Sequence, residues 1–318
     1  MSTTAPLAEQ EEKKIGLQHI VVATDFSAAS KRALAHAVTL ARRYGAELSL
    51  VHAIRPEPRE PLPLDPTPRE LDRRRLEAEQ KMKQLDKESR LQDLRHHSLL
   101  QSGSVWDLLH SILEHDDIDL LVLGTHGRGG LKKLALGSIA EEVLRLAPFP
   151  VLTVGPNAVA PKSDEAYFKS ILFATDFGPA SAKAFKCALF FAGARTKLTL
   201  FHTVPPMASV DIGPAAYGLG TYAADEVILR QSRMHEESSR KLRALVPANI
   251  DLATEPACAV ASECSSEGIL AAAATCQADL IVMGANQARS ARVAAHVPWT
   301  VTHDVLCKAK CPVLTVRS

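Results

Sequence analysis

One stretch of this chain has the residue types and spacing to hold an anion. The apolar run Leu120–Leu123 leads straight into Gly124-Thr-His126-Gly127-Arg128-Gly129-Gly130. Nine residues separate Gly127 from Gly137-Ser138-Ile139, where a helical pattern begins, so the spacing is G-x2-G-x9-G-S. Glycines let backbone N–H groups approach an anion with no Cβ in the way. A helix start adds free N–H groups and the positive end of the helix dipole, and both favour phosphate. Ser138 adds a hydroxyl donor, and His126, Arg128, Lys132 and Lys133 add donors or positive charge nearby. The spacing is neither the Walker G-x-x-x-x-G-K-[ST] nor the dinucleotide G-x-G-x-x-G that follows a first strand. A merely flexible glycine loop is the plainer reading of the same letters. Position decides for phosphate, because ligands of doubly wound sheets sit beyond the carboxyl ends of the strands.

Asp25 ends an earlier apolar run, His19-Ile-Val-Val-Ala-Thr-Asp25-Phe-Ser27, on the same carboxyl edge. It is a candidate to accept a bond from a nucleoside or to hold a metal through water. The competing reading is a cap for the helix that starts just after it. Asp176 repeats it where no full loop follows, which favours a structural share in its role. His52 and His202 recur likewise on apolar runs and read as hydrogen-bonded structural histidines. No base for an attacking water and no acidic pair for magnesium can be named beside the loop, so slow or no hydrolysis is expected. The six cysteines all lie in the second half, form no C-x-x-C pair and fit no zinc spacing. They read as reduced thiols used as small apolar residues, with a Cys307/Cys311 redox pair as the sharper alternative.

The elements that must position these residues come from a duplication. His19-Ile-Val-Val-Ala-Thr-Asp25 returns as Ser170-Ile-Leu-Phe-Ala-Thr-Asp176, and Leu48-Ser-Leu-Val-His52 as Leu198-Thr-Leu-Phe-His202. Asp119-Leu-Leu-Val-Leu-Gly124 returns as Asp279-Leu-Ile-Val-Met-Gly284, and Pro150-Val-Leu-Thr-Val154 as Pro312-Val-Leu-Thr-Val316. Short apolar runs bounded by turn residues fit strands buried on both faces of a parallel sheet. Between them lie helical patterns at Ser27–Tyr44, Ser104–His115 and Gly137–Leu146, echoed at Glu267–Cys276 and Thr300–Lys308. Ser27 and Gly45 are the expected start and stop of the first helix. In the second copy Pro179 suits a first turn and Gly193 is the expected exit. Arg55–Pro68 is proline-rich, and Arg69–Leu94 is a charged, helix-compatible segment whose charges suit a solvated face. Pro205–Thr221 and Ala224–Leu245 are their counterparts, and Pro156–Ala166 links the copies. The result is an α/β chain of two tandem doubly wound domains, 15–155 and 168–318.

The 318 residues suit two domains, and a net charge of +1 gives no global field for nucleic acid or an anionic membrane. No run approaches the ~18 apolar residues of a membrane helix. The polar, acid-bearing N-terminus has no apolar signal region. A cytoplasmic protein is expected.

Ala23-Thr-Asp25-Phe-Ser27, the G-x2-G-x9-G-S loop and the Pro-Val-Leu-Thr-Val strands resemble the universal stress protein family, and nearly the whole chain resembles a tandem member. The resemblance implies two five-stranded parallel sheets of order 3-2-1-4-5, adenine nucleotide alpha hydrolase-like. It implies ATP, with or without Mg2+, as ligand of the first copy. It places Asp25, Ala53 and Leu123 around the nucleoside, and Gly124, Gly127, Gly137, Ser138 and Ile139, with Arg128 nearby, at the ribose and phosphates. Family dimers pair through the last strand, so Val151–Val154 and Val313–Val316 are expected to pair within one chain as a pseudo-dimer, with a homodimer or a protein partner also open. The second copy departs from the motif. Gln287 stands at the second glycine, and Trp299 and Thr300 fall opposite Gly137 and Ser138. A Trp side chain occupies space that phosphates need, so this copy is not expected to bind ATP. Arg289 and Arg292 read as solvated loop charges. The function implied is an ATP-binding stress-response regulator. A nucleotide-independent interaction or chaperone-like module is the alternative. An adenylating or phosphotransfer enzyme would want S-G-G-x-D-S after the first strand, where Thr24-Asp25-Phe26-Ser27 stands instead.

Overall fold

The computed structural model describes residues 16–54, 68–114, 116–125, 136–159, 161, 168–206, 221–248, 252, 254–285 and 298–318. The expected alternation of strands and helices is observed. The first half runs β1 (His19–Ala23), α1 (Ala28–Tyr44), β2 (Glu47–Ile54), α2 (Pro68–Asp86), β3 (His96–Ser102), α3 (Val105–Leu113), β4 (Leu120–Gly124), α4 (Ser138–Leu146) and β5 (Val151–Val154). The second repeats it as β6 (Ser170–Ala174), α5 (Pro179–Phe191), β7 (Lys197–Thr203), α6 (Thr221–Leu245), β8 (Ala257–Ala261), α7 (Ser265–Thr275), β9 (Leu280–Ala285), α8 (Pro298–Lys308) and β10 (Val313–Arg317).

All ten strands form one sheet in the order β3-β2-β1-β4-β5-β10-β9-β6-β7-β8. Each half is therefore a parallel sheet of order 3-2-1-4-5, and the halves meet through the antiparallel pair β5–β10. Leu152 faces Leu314, with Thr153 opposite Val313 and Val151 opposite Thr315. Thr153 Oγ1 donates to the Val313 carbonyl at 3.0 Å, and Thr315 Oγ1 donates to the Val151 carbonyl at 3.3 Å. These are one contact repeated about a local two-fold axis, the self-complementary pattern of a symmetric dimer built into a single chain. The pairing also buries two strands that would otherwise be open edges.

The inner strands are Val/Ile/Leu runs because both of their faces are covered. On one face Ile20, Val22 and Leu152 share a core with Ile171, Val282 and Leu314, beneath α1, α2, α5 and α6. On the other, Val21, Leu121 and Val151 share a core with Leu172, Ile281 and Val313, beneath α3, α4, α7 and α8. Across the copies, the Tyr44 ring at the end of α1 stacks on Phe190 of α5 with centroids 5.0 Å apart.

Helix ends follow local chemistry. Ser27 caps α1, accepting from the Ser30 N–H, and Gly45 closes it at φ 67°. Pro179 occupies the first turn of α5, and Ala192 in extended backbone caps its end. Gly193 stands directly after that cap, at the expected exit, and its N–H turns to Thr196 Oγ1 at 3.0 Å. The register of the last strands equates Ser138 with Thr300, yet α8 already begins at Pro298, so Trp299 lies inside the helix.

Candidate functional site

The carboxyl edge of the first half is built by three strand ends and one helix start. Beyond β1, the Thr24 N–H donates to the Val51 carbonyl at 2.9 Å, which keeps the chain in the sheet for one more residue. It then turns sharply. Thr24 Oγ1 accepts from the Phe26 N–H at 3.1 Å, and Asp25 Oδ1 accepts from the Ser27 N–H at 3.0 Å. Phe26 sits at φ 63°, a region a bulky residue enters only when its surroundings hold it there. What holds it is visible. Its ring packs on His52 with centroids 4.6 Å apart, and Lys81 Nζ from α2 lies 5.9 Å from its centroid. His52 in turn donates from Nδ1 to the Thr24 carbonyl at 2.6 Å.

The second half builds the same turn. Phe177 has φ 60°, its N–H meets Thr175 Oγ1 at 2.9 Å, and it packs on His202 at 4.5 Å and under Lys241 at 5.7 Å. His202 Nδ1 donates to the Thr175 carbonyl at 2.7 Å. Both histidines are hydrogen-bonded to the backbone of the turn they pack against, in keeping with their recurrence. Asp25 and Asp176 both brace the turn into a helix. Asp176 Oδ1 accepts from Gly178 N–H at 2.9 Å and from the Ser181 hydroxyl at 2.5 Å.

At the end of β4, Leu123 is buried and Gly124 lies against α1. Thr125 pairs its N–H with the Val154 carbonyl at 3.2 Å, and its own carbonyl accepts from the Gly137 N–H at 2.8 Å. That bond draws the α4 start back to the strand end it left. Gly137 is the cap of α4, in extended backbone and with no side chain to fill the first-turn donors. Ser138 is exposed at the first helical position and Ile139 is half-buried. Glu141, in the first turn, is paired with Arg145 at 2.8 Å. Asp25, Leu123, Gly124, Gly137, Ser138 and Ile139 are therefore on one edge, with half-buried Ala53 on the neighbouring β2. Gly127 and Arg128 lie outside the described residues, as do His126, Lys132, Lys133, Gln287, Arg289 and Arg292, and nothing is described of the Trp299 or Thr300 side chain.

The uncapped α4 start supplies donors. Asp25 is a carboxylate that fits Mg2+ only if phosphates complete the shell. Among the described residues no three His, Cys, Asp or Glu side chains cluster to hold a metal. The cysteines are free thiols. Burial pushes Cys187 up to about 11 and Cys311 up to about 12, so neither ionises readily. Among the described residues no helix is long and apolar enough to cross a membrane.

Two features escaped the residue-level reading. The Asp119 carboxylate accepts from the N–H groups of Gln18 and His19 at 2.7 and 2.9 Å, and Asp279 does the same for Lys169 and Ser170 at 2.8 and 3.1 Å. The signal was present, since an aspartate heads both copies of that run. The other is a capping box, Ser104 with Asp107, which closes the α3 start from within.

Comparison with known proteins gives one consistent answer. The universal stress protein family model matches residues 16–155 and again 167–317. Universal stress protein MJ0531 of Methanocaldococcus jannaschii is 31% identical over 137 residues, which is 42% of this chain and 80% of that protein. A universal stress protein of Thermus aquaticus is 35% identical over 135 residues, 42% of this chain and 96% of that protein. Among solved structures, a universal stress protein from Archaeoglobus fulgidus aligns with a TM-score of 0.62 at 17% identity, covering 94% of this chain and 98% of its own. A functionally unknown protein, PA1789 of Pseudomonas aeruginosa, aligns with a TM-score of 0.62 at 19% identity, covering 95% and 92%. At these identities the two structures speak to the fold.

Proposed function

The chain belongs to the universal stress protein family as a tandem member, and from that premise we propose that its first half binds ATP, or a closely related adenine nucleotide, as a regulatory ligand with slow or no hydrolysis. The observation that carries this reading is the contrast between the two helices that follow the fourth strand of each half. α4 starts at Gly137 with no side-chain cap, tied by one hydrogen bond to the end of β4 and beside Asp25. α8 starts two residues earlier by the shared register, at Pro298, and carries Trp299 where α4 has its glycine. The first arrangement leaves N–H donors and a hydroxyl for phosphates. The second removes one donor with a proline and adds a large ring. In this reading Asp25, Ala53 and Leu123 surround the nucleoside. Gly124, Gly127, Arg128, Gly137, Ser138 and Ile139 hold ribose and phosphates, and Asp25 is the carboxylate that would help hold Mg2+ were it bound with the nucleotide. The second half serves as a packing partner.

The test is stoichiometry. Nucleotide released by denaturing the purified protein is identified, and ATP is titrated into wild type and Gly137→Trp. The Gly137 backbone, at φ −66° and ψ 146°, lies in the region that L residues adopt, so the substitution meets no backbone strain. One ATP per chain, lost in the variant, is the expected result. Two per chain would overturn the assignment of the second half. None in either protein would favour a nucleotide-independent interaction module.

A further inference from the structure

At the amino edge of the first half, opposite the nucleotide edge, a polar row crosses an otherwise apolar face. His19 on β1, Ser49 on β2 and His97 on β3 lie on the side of the sheet that carries Val21, Val51 and Leu99. Ser49 Oγ is 2.6 Å from His19 Nε2 and 2.9 Å from His97 Nε2. The outer nitrogens are engaged too. His19 Nδ1 is 3.0 Å from the Asp117 carbonyl oxygen, and His97 Nδ1 is 3.1 Å from Glu47 Oε1. Ser49, His97 and Glu47 stand in the order of a nucleophile, base and acid, but Ser49 is 0% exposed, so no substrate reaches it.

The hydrogens of this row can be counted. The Asp117 carbonyl only accepts, so His19 Nδ1 carries a proton. The Glu47 carboxylate only accepts, so His97 Nδ1 carries one. If both rings are neutral, both Nε2 atoms are bare and both face Ser49 Oγ. That hydroxyl has one hydrogen and satisfies one of them. A third ring proton resolves the conflict. His97 Nε2–H donates to Ser49 Oγ, Ser49 Oγ–H donates to His19 Nε2, and all four contacts are made. A fourth would aim two ring donors at Ser49 Oγ and place two cations with ring centroids 6.2 Å apart.

We propose that the Glu47–His97–Ser49–His19 row holds three ring protons on its two imidazoles, with the positive charge on His97 beside Glu47, and that this makes the seating of edge strand β3 depend on pH. Among the described residues, few groups face the row. Glu47 comes from β2, and Asp117 and Asp119 precede β4, with the Asp119 carboxylate already accepting from the Gln18 and His19 N–H groups. Glu114 and Asp116, beyond α3, are exposed. On the other face of β3, His96 is 3.9 Å from Asp86, which also accepts from Ser98. The second half lacks the device. Its positions in the same register are Ser170, Lys197, Thr199 and Ala257. The sign is set by the count. The row is complete while the third proton is held, and as pH rises and it leaves, one ring–hydroxyl contact fails and β3 loosens from β2.

Nitrogen NMR of the imidazoles in the full chain tests this, paired with amide exchange corrected for intrinsic rates. At about pH 6, His97 is expected with both nitrogens protonated and His19 with Nδ1 only. At about pH 9, His97 has lost one proton, and protection of the His97 and Leu99 amides has fallen by about tenfold, the worth of one hydrogen bond. Ala257 and Ala259 on β8 are unchanged. In Ser49→Ala the pH dependence of β3 protection shrinks to the share carried by the His97–Glu47 and His96–Asp86 contacts. Two singly protonated rings at about pH 6, or β3 protection that ignores loss of the third proton, overturns the proposal on wild-type protein alone.

Discussion

A Cβ placed on Gly124 would lie 2.9 Å from the carbonyl carbon of Ala29. The neighbour is helix backbone, which cannot step aside as a side-chain tip can. Gly284 repeats the relationship, with a Cβ 2.5 Å from the Ser181 nitrogen. The first glycine of the G-x2-G-x9-G-S pattern is thus required by the close approach of α1 to β4, whether or not a ligand binds. Gly124→Ala is expected to lower stability by about 1–3 kcal/mol without nucleotide present. Urea unfolding of the nucleotide-free protein reads this directly. Weakened ATP binding with unchanged unfolding would sink the packing account.

That glycine shows how far the letters of this chain reach. The inner strands were legible because both faces are buried, which leaves unbroken apolar runs. The edge strands β3 and β8 were not. His96-His-Ser-Leu-Leu-Gln-Ser102 carries the polar row on one face, and Ala257-Cys-Ala-Val-Ala261 has no buried residue, with Ala257 and Ala259 exposed. The capped start and left-handed stop of α1 were legible because Ser27 and Gly45 are local signals. Gly193 was legible in the same way, directly after the Ala192 that caps α5. At the candidate site, Gly137 and Ser138 were legible from the helix that follows them. The fusion of two sheets through β5 and β10 was expected from the resemblance. The pairing of Thr153 with Val313 is a long-range contact that no local pattern contains.

The reciprocal bonds at that seam should add up. Thr153→Val and Thr315→Val each keep the shape and β-branching while removing a hydroxyl whose oxygen donates to a strand carbonyl. Each is expected to cost about 1 kcal/mol. The double variant should unfold earlier in urea than either single one. Unchanged midpoints in all three would mean that the seam is held by backbone pairing and apolar contact alone.

The thiols divide by burial. Cys264 is exposed, whereas burial pushes Cys187 up to about 11 and Cys311 up to about 12, and raises Cys307 as well. The thiolate is the reactive form, so Cys264 should alkylate first near neutral pH, and Cys187 and Cys311 only in denaturant. Peptide mapping after a timed iodoacetamide pulse resolves the order. Early labelling of Cys311 in the folded chain would contradict its burial and revive the redox reading of the Cys307/Cys311 pair.

His36 on α1 gives the fold an acid limit. It is 3% exposed, and burial lowers its pKa from 6.5 to about 4, partly opposed by a backbone hydrogen bond to Val159. Between those values the unfolded chain binds a proton that the folded chain refuses. A depressed folded-state value means the contribution is fully present above pH 6.5 and is lost as pH falls towards about 4. The full loss is on the order of 3 kcal/mol, since each pH unit is worth about 1.4 kcal/mol. His36→Leu removes the titrating group while filling the buried space, so its unfolding free energy should vary less across that window than wild type does. Urea unfolding at several pH values compares the two slopes. Parallel slopes would assign the acid sensitivity to other groups, and a steeper slope in the variant would reverse the sign argued for His36.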